Sequence, residues 1–462
     1  MLPDLLALPL LAAADASDSA GGVNFFQIAG LLLAVTAALA WLNERLLKLP
    51  ATIGVMILAM LLSLVIAGVS AFTSFDSLDN TALAFLTELD FEFLVLEVLL
   101  AFLLFAGALH VDLNDLSEQK FIIAILATLG VVASTFVVGS LAYFIVNAFG
   151  FELRYIEALL FGALITPTDP IAVLGLMKRA GVPKSLEIKV VGESLFNDGI
   201  GVVVFLTLLA IAFPDGAHGS GHEGFGAADA AKLLGVEVGG GIAIGLATGY
   251  LAYWLTKRVD EYSVEILLTL AAAVGGYALC TYLHMSGPLC VVVSGLLMGN
   301  KGRLTGMSQR VREHMDTFWQ LIDEILNAVL FVLIGLELLQ VFAGSENALM
   351  KIFAGVALIP IVLLARAVAV GGGVGLLQLT PWRKDFGPGT KRVLVWAGLR
   401  GGISVALALA LPKSAESRDL ILILAYVVVA FSIIVQGLTV PAVVKWAVPG
   451  AKERDPDAPV PH

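Results

Sequence analysis

The sequence predicts an all-α polytopic membrane protein with thirteen transmembrane helices. Of its 462 residues, 59% are hydrophobic and only 14% are charged, and the mean hydropathy is +0.94. Soluble domains carry about 25% charged residues. Apolar segments recur along the chain, and most can cross a hydrocarbon core in the lipid bilayer, which takes about 20 residues. The predicted spans are 23–42, 51–70, 91–109, 120–148, 155–178, 187–213, 232–256, 262–283, 287–299, 316–342, 350–378, 389–411 and 418–447.

The basic residues predict how these spans are oriented. If the first span starts outside, 20 of the 27 Lys and Arg residues lie in the inner loops, the C-terminal tail and the inner ends of the spans, and 5 lie in the outer loops and the outer ends of the spans. The other two, Arg366 and Arg400, lie deep inside spans. Because Lys and Arg are generally in excess on the cytoplasmic side, we expect the N-terminus outside and the C-terminus inside.

Composition and motifs argue against several classes of function. The net charge of −11 comes partly from acidic outer segments and gives no indication of nucleic-acid binding. We find no protease signature or cofactor motif, so we expect neither an enzyme nor a bound cofactor. The glycine-rich stretch "GGGIAIGLATG" lies within the seventh span and follows no strand, so it does not predict a nucleotide site. Its Gly241, Gly245 and Gly249 recur at every fourth residue, which predicts close packing against another helix.

The fifth span carries an interruption at "LITPTDPIAVLG". Pro167 and Pro170 each lack a backbone N–H and crowd the preceding turn, so an ordinary helix is expected to break here. Asp169 would be costly at this depth if it faced lipid. A break and a carboxylate at one place therefore predict a polar site enclosed by protein.

The sixth span, which begins "LEIKVVGESLFNDGIGVVVF", carries four polar residues on one helical face: Glu193, Ser194, Asn197 and Asp198. At about 1.5 Å per residue, Asp198 lies roughly 16 Å from the inner end of the span. The same reasoning places Asp169 and Arg400 near the middle of their own spans. Polar groups inside a membrane are generally functional, so we expect these residues to form one polar centre. The alternative is that they only hold helices together.

The twelfth span contains a second interruption, "WAGLRGGISVALALALP", in which Gly401 and Gly402 weaken the helix beside Arg400. Spans 5 and 12 are each the fifth of six if spans 1–6 and 8–13 form two repeats. The odd offset of seven spans inverts the second repeat relative to the first. Interrupted helices at matching positions of two inverted six-helix repeats indicate the midplane binding site of a secondary transporter.

Three motifs, "TPTDP", "GESLFNDG" and "GLRGG", resemble those of the monovalent cation:proton antiporter family, specifically its electroneutral sodium/proton exchanger branch. The resemblance covers nearly the whole chain. It implies crossed discontinuous helices and a homodimer in which each chain has a dimerisation domain and a mobile core transport domain. The implied division is an outer N-terminal tail at 1–22, a dimerisation domain at 23–112 and 262–342, a core transport domain at 119–213 and 350–447, a linking helix at 232–257 and a cytoplasmic tail at 448–462.

The resemblance also implies roles for individual residues. Thr168 and Asp169 match the Thr-Asp pair of the crossed helices. Asn197 and Asp198 match an Asn-Asp pair whose aspartate carries the ion or the proton. Electrogenic relatives carry a second aspartate where this chain has the neutral Asn197, which predicts electroneutral exchange.

Three further residues complete the implied core. Glu193 and Arg400 match two residues that form an ion pair within it, and Arg366 resembles another core arginine with a structural role. Some members of the family place a carboxylate in the third span, where this chain has Ala106.

One carboxylate with two mutually exclusive ligands predicts exchange. A proton or a small cation can neutralise a buried Asp198, but both together cannot. Ser194 and the Thr168 carbonyl would complete an oxygen shell for a hard cation, so we place sodium at Asp198, Ser194 and Thr168. The predicted protein is a secondary active transporter of the plasma membrane, in particular a bacterial inner membrane. It would exchange sodium, or else lithium or potassium, for a proton by alternating access and one for one.

Three alternatives remain at this point. A potassium/proton antiporter would use the same site. A channel would need a continuous polar stripe along several helices, whereas the charges here cluster at one depth. A cation-coupled symporter for an organic solute would need a roomier site lined by aromatic and amide residues.

Overall fold

The chain folds into helices. The computed structural model describes residues 25–72, 94–169, 177, 180–213, 227–303, 307–342, 347–380, 386–387 and 389–448. This described part contains no strand. The predicted tails lie outside the described residues, apart from the first residue of the C-terminal one. The helices are α1 (Phe25–Leu42), α2 (Ala51–Phe72), α3 (Leu94–Leu109), α4 (Leu113–Ala148), α5 (Tyr155–Leu164), α6 (Lys184–Ala212), α7 (Ala227–Thr256), α8 (Tyr262–Tyr282), α9 (Gly287–Leu297), α10 (Gln309–Phe342), α11 (Ala348–Gln378), α12 (Thr390–Trp396), α13 (Gly402–Leu409) and α14 (Arg418–Ala447).

The helices have the length and the surface of membrane spans. Within the described ranges, 8 helices are long and apolar enough to cross a bilayer, and α2, α3 and α5 contain shorter apolar stretches. Large apolar side chains such as Phe144, Leu379 and Trp446 lie exposed on the outside. Soluble monomers rarely expose extended apolar surface, whereas lipid accommodates it. The predicted all-α membrane protein is confirmed.

The helices pack in two groups. In the first, α10 lies along α2 and contacts α3, and α9 packs against both α3 and α7. In the second, α4 packs against α5, α6 and α11, and α11 also contacts α14. The interrupted segments between α5 and α6 and between α12 and α13 belong to the second group.

Glycines allow α7 to approach α9 at backbone distance. A Cβ added at Gly241 would lie 2.5 Å from the carbonyl oxygen of Ser286, and one at Gly245 would lie 2.5 Å from that of Cys290. Gly249 makes a similar approach one turn further along. The spacing of these three glycines therefore predicted their packing role correctly.

Candidate ion-binding site

The first interruption follows the last turn of α5. Residues 166–169 have no regular secondary structure, and Pro167 has no N–H with which to continue the helix. The backbone N–H of Asp169 donates instead to the carbonyl of Leu399, at 2.8 Å. The predicted break is present, and Pro170 lies outside the described residues.

The second interruption separates α12 from α13 and contacts the first. The backbone N–H of Arg400 donates to Ser432 Oγ at 2.8 Å, where α14 is wound as a π-helix. The guanidinium of Arg400 donates through Nη1 to the carbonyls of Thr166, at 2.8 Å, and Pro167, at 3.4 Å. Each interrupted segment therefore supplies hydrogen-bond partners to backbone groups of the other segment. These groups lie at helix ends, where the helix itself offers them no partner.

Helix α6 brings its polar face against the first interruption. Glu193, Ser194, Asn197 and Asp198 are all at most 2% exposed. The Asn197 amide accepts a hydrogen bond from the Thr168 N–H at 3.2 Å and donates one to the Thr168 hydroxyl at 2.7 Å. The hydroxyls of Thr168 and Ser194 lie 2.8 Å apart. The four residues of α6 and Thr168 therefore form one polar centre.

Asp198 lines a cavity of about 50 Å³, together with Thr168 and Asp169. Its Oδ1 atom is buried and has no hydrogen-bond donor in the described structure. The charges of Asp169 and Glu193 repel the Asp198 carboxylate, and Arg400 attracts it. Because a buried charge is costly without a partner, this oxygen is suited to receive a proton or a cation.

Glu193 pairs with Arg366 rather than with Arg400. Both carboxylate oxygens of Glu193 accept hydrogen bonds from the Arg366 guanidinium, one of them from Nη2 at 2.5 Å. Arg366 also donates to the carbonyl of Leu394. The predicted Glu193–Arg400 pair is therefore wrong. Depth in the membrane does not determine the direction in which a side chain leaves its helix, and the carbonyls at the first interruption hold Arg400 instead.

Two glycines of "GLRGG" make room for charged side chains. A Cβ at Gly398 would lie 2.6 Å from Arg366 Nε, and one at Gly401 would lie 2.6 Å from Asp169 Oδ2. Both distances are shorter than Cβ atoms tolerate, so a larger residue must displace its neighbour. These glycines therefore leave the space that the side chains of Arg366 and Asp169 occupy.

Two polar residues missed by the sequence analysis lie on α10. Asn327 lines the cavity, and Asp323 lies one helical turn before it, close enough that its charge repels that of Asp169. The available signal was "LIDEILNAVL", where acidic and amide residues interrupt the tenth predicted span. Ala106 of α3 is buried and adds no charge to the site.

Comparison with known proteins agrees with this architecture. The model of the family described as sodium/hydrogen exchanger, transmembrane, matches residues 31–446. The Na(+)/H(+) antiporter NhaP of Pseudomonas aeruginosa is 45% identical over 420 residues, which cover 91% of this chain and 96% of that protein. The Na(+)/H(+) antiporter NhaH of Halobacillus dabanensis is 33% identical over 426 residues, 91% of this chain and 97% of that protein.

A solved structure shows the same fold. The sodium proton antiporter MjNhaP1 from Methanocaldococcus jannaschii superposes with a TM-score of 0.68 at 19% sequence identity, covering 90% of this chain and 96% of that one. The apolar helices, the family match over most of the chain and two relatives above 30% identity lead to one conclusion. This multi-pass integral membrane protein belongs to the sodium/hydrogen exchanger family.

Proposed function

We propose that the protein is a secondary active transporter that exchanges sodium for a proton across the plasma membrane, one for one, by alternating access. The observation that carries the proposal is the Asp198 carboxylate oxygen, which is buried without a donor and faces a cavity. The names of the similar proteins from Pseudomonas aeruginosa and Halobacillus dabanensis, both Na(+)/H(+) antiporters, support sodium as the cation.

Sodium would take oxygen ligands from Asp198, Ser194 and Thr168. The two hydroxyls lie together in the polar centre. With Thr168 as the donor between them, each hydroxyl keeps a lone pair for a cation. Hard cations prefer such oxygen ligands. Asn197 holds Thr168 by two hydrogen bonds and so keeps the ligand set in place. A proton on Asp198 removes the negative ligand, which makes the proton and sodium compete.

Coupling follows from the cost of moving an uncompensated charge through the membrane interior. With neither ligand bound, Asp198 would carry its charge past apolar side chains of α3 such as Leu99 and Leu103, which line the cavity. That step is expensive. With either a proton or sodium bound, the charge is neutralised and the step becomes cheap. The pairing of Glu193 with Arg366 keeps a second carboxylate out of this competition.

We further propose thirteen transmembrane helices, with the N-terminus outside and the C-terminus inside, in two inverted six-helix repeats. The two mutually contacting interruptions support crossed discontinuous helices. The packing of α10 on α2, and of α9 on α3 and α7, supports a dimerisation domain at 23–112 and 262–342 through which two chains associate. The packing of α4 on α5, α6 and α11 supports a core transport domain at 119–213 and 350–447, with 232–257 as the linking helix.

The one-for-one ratio depends on Asn197. Its side chain is neutral, and its amide N–H groups donate to Thr168 and Glu193. Of the two neighbours Asn197 and Asp198, only Asp198 is then an acid that exchanges a proton for a cation. A full cycle therefore moves no net charge. The membrane potential, worth about 2.3 kcal/mol per charge per 100 mV, would neither drive nor oppose transport.

The function is tested in proteoliposomes that contain a pH dye and are held at different potentials with potassium and valinomycin. External sodium is expected to make the lumen more alkaline at a rate that does not change with potential. Liposomes without protein are the control. No sodium-driven change in pH would refute exchange, and a rate that rises steeply with potential would refute the one-for-one ratio.

Pulses of lithium and potassium, without valinomycin, compare the cations, and a response to potassium but not to sodium would establish the potassium/proton alternative.

The substitution Gly401→Ala is expected to slow exchange by on the order of tenfold to a hundredfold, the cost of displacing a reacting group by about 1 Å. The added methyl group would overlap the carboxylate of Asp169. The backbone N–H of Asp169 is hydrogen-bonded to the Leu399 carbonyl, which holds this residue in place. The control is Gly107→Ala in the same cavity, where the nearest atom, Leu195 Cδ1, is 3.9 Å from the added Cβ. Initial rates are compared at matched protein content. Equal rates for both variants would mean that the position of Asp169 does not matter for transport.

A further inference from the structure

Helix α10 supplies a further polar residue to the cavity beside Asp198. Asn327 is 2% exposed and lines the cavity. Its Nδ2 donates to the backbone carbonyl of Asp323 at 2.7 Å. Its Oδ1 is buried and has no donor in the described part of the chain. Asn327 therefore presents an acceptor oxygen for which the described residues supply no partner.

Asp323 adds a carboxylate on the same face of α10. It precedes Asn327 by four residues, which places the two side chains one above the other. Its Oδ1 is also buried without a donor, and no Lys, Arg or His within the described ranges forms an ion pair with it. Its charge repels that of Asp169 on the opposite group of helices, so the two carboxylates share one electrostatic environment.

Three acceptor oxygens in and beside one cavity thus lack donors, those of Asp198, Asp323 and Asn327. Buried polar groups in proteins are nearly always hydrogen-bonded, and a network built only to stabilise the fold would contain donors as well as acceptors. The other residues that line the cavity are mostly apolar, Leu103 and Leu330 among them. Oxygens in excess, two of them from carboxylates, are the surroundings that a hard cation prefers.

We propose that Asp323 and Asn327 form a second monovalent-cation site, from which the cation passes to Asp198. The proposal rests on the proposed exchange function, since it concerns the path of the same cation. Helix α10 packs on α2 and α3, whereas Asp198 lies in the group around α4, α5 and α6. The second site therefore belongs to the wall past which the core would move. Its charge draws the cation into the cavity, and the Asn327 oxygen replaces part of the cation's water.

The substitution Asp323→Asn is expected to raise the apparent KM for sodium about tenfold and to leave the maximal rate unchanged, because a charged cleft raises the local concentration of its counter-ion by about this factor or more. Asn327→Leu removes the amide oxygen at similar side-chain volume and is also expected to raise the KM for sodium. Asp323→Glu should restore a KM near that of the wild type. The matched control is Glu324→Gln, which removes one negative charge from the exposed neighbouring position and should leave the KM unchanged.

Binding is measured separately by sodium NMR line broadening on purified protein. The variant Asp198→Asn disables the first site, and the broadening that remains should disappear in Asp198→Asn/Asp323→Asn. Wild-type KM values for Asp323→Asn and Asn327→Leu, or an equal increase for Glu324→Gln, would overturn the second site and leave the exchange function standing. Inactive wild-type protein would overturn the exchange function, and the NMR comparison would still decide whether the second site exists.

Discussion

Replacing Asp198 with asparagine is expected to abolish sodium-dependent proton movement and to leave the fold intact. Asparagine has nearly the size of aspartate, but it neither binds a proton nor neutralises a cation. Oδ1 of Asp198 has no hydrogen-bond donor within the described residues, and the bond that the carboxylate accepts from the Thr168 backbone can also be accepted by an amide oxygen. The measurement is the initial rate of lumenal alkalinisation after a sodium pulse, together with the melting temperature in detergent.

The control for this loss is Glu313→Gln, which removes a carboxylate from the exposed end of α10 and should keep wild-type exchange. A folded Asp198→Asn protein that still moves protons in response to sodium would contradict the mechanism. A variant with a strongly lowered melting temperature would show instead that the Asp198 carboxylate is needed for the fold.

Breaking the ion pair between Glu193 and Arg366 is expected to lower stability strongly. Their side chains are 1% and 7% exposed, and removing one partner of a buried pair typically costs about 3–5 kcal/mol because the other charge is stranded. Glu193→Ala and Arg366→Ala should each lower the melting temperature in detergent markedly. Wild-type melting of both variants would refute the structural role of the pair.

A double-mutant cycle distinguishes this pair from the one that the sequence suggested. The coupling energy between Glu193 and Arg366 should exceed that between Glu193 and Arg400, because only side chains in direct contact couple strongly. Arg400→Ala acts on a different feature, the carbonyls of Thr166 and Pro167 that its guanidinium holds. A larger coupling with Arg400 would restore the sequence-based pairing.

The helices and the two interruptions could be predicted because each leaves a local signature. Long apolar runs mark the helices, and Pro167, together with Gly401 and Gly402, marks the interruptions. The polar face of α6 also follows from spacing alone, since residues four apart share a face whatever surrounds the helix. Each of these features is determined by residues within one or two helical turns along the sequence.

The partner of Glu193 could not be predicted, because it depends on how helices are rotated about their axes. Hydropathy gives the depth of a residue but not the neighbour that it faces. The same limit hid Asp323. It stands beside Glu324 in the sequence, and only the packing of α10 shows that Asp323 has a buried oxygen while Glu324 is exposed.

The two interrupted segments hold each other, through the Asp169 N–H on the Leu399 carbonyl and the Arg400 guanidinium on the Thr166 carbonyl. Neither bond involves α2, α3 or α10. In the proposed mechanism, a core that carries both segments would therefore change position without taking its ligand set apart. In the proposed mechanism the same ligands would then bind the cation whichever face of the membrane they open to. Such a protein has no built-in direction: it runs forward or in reverse as the sodium and proton gradients dictate, and the same molecule can expel sodium or expel protons.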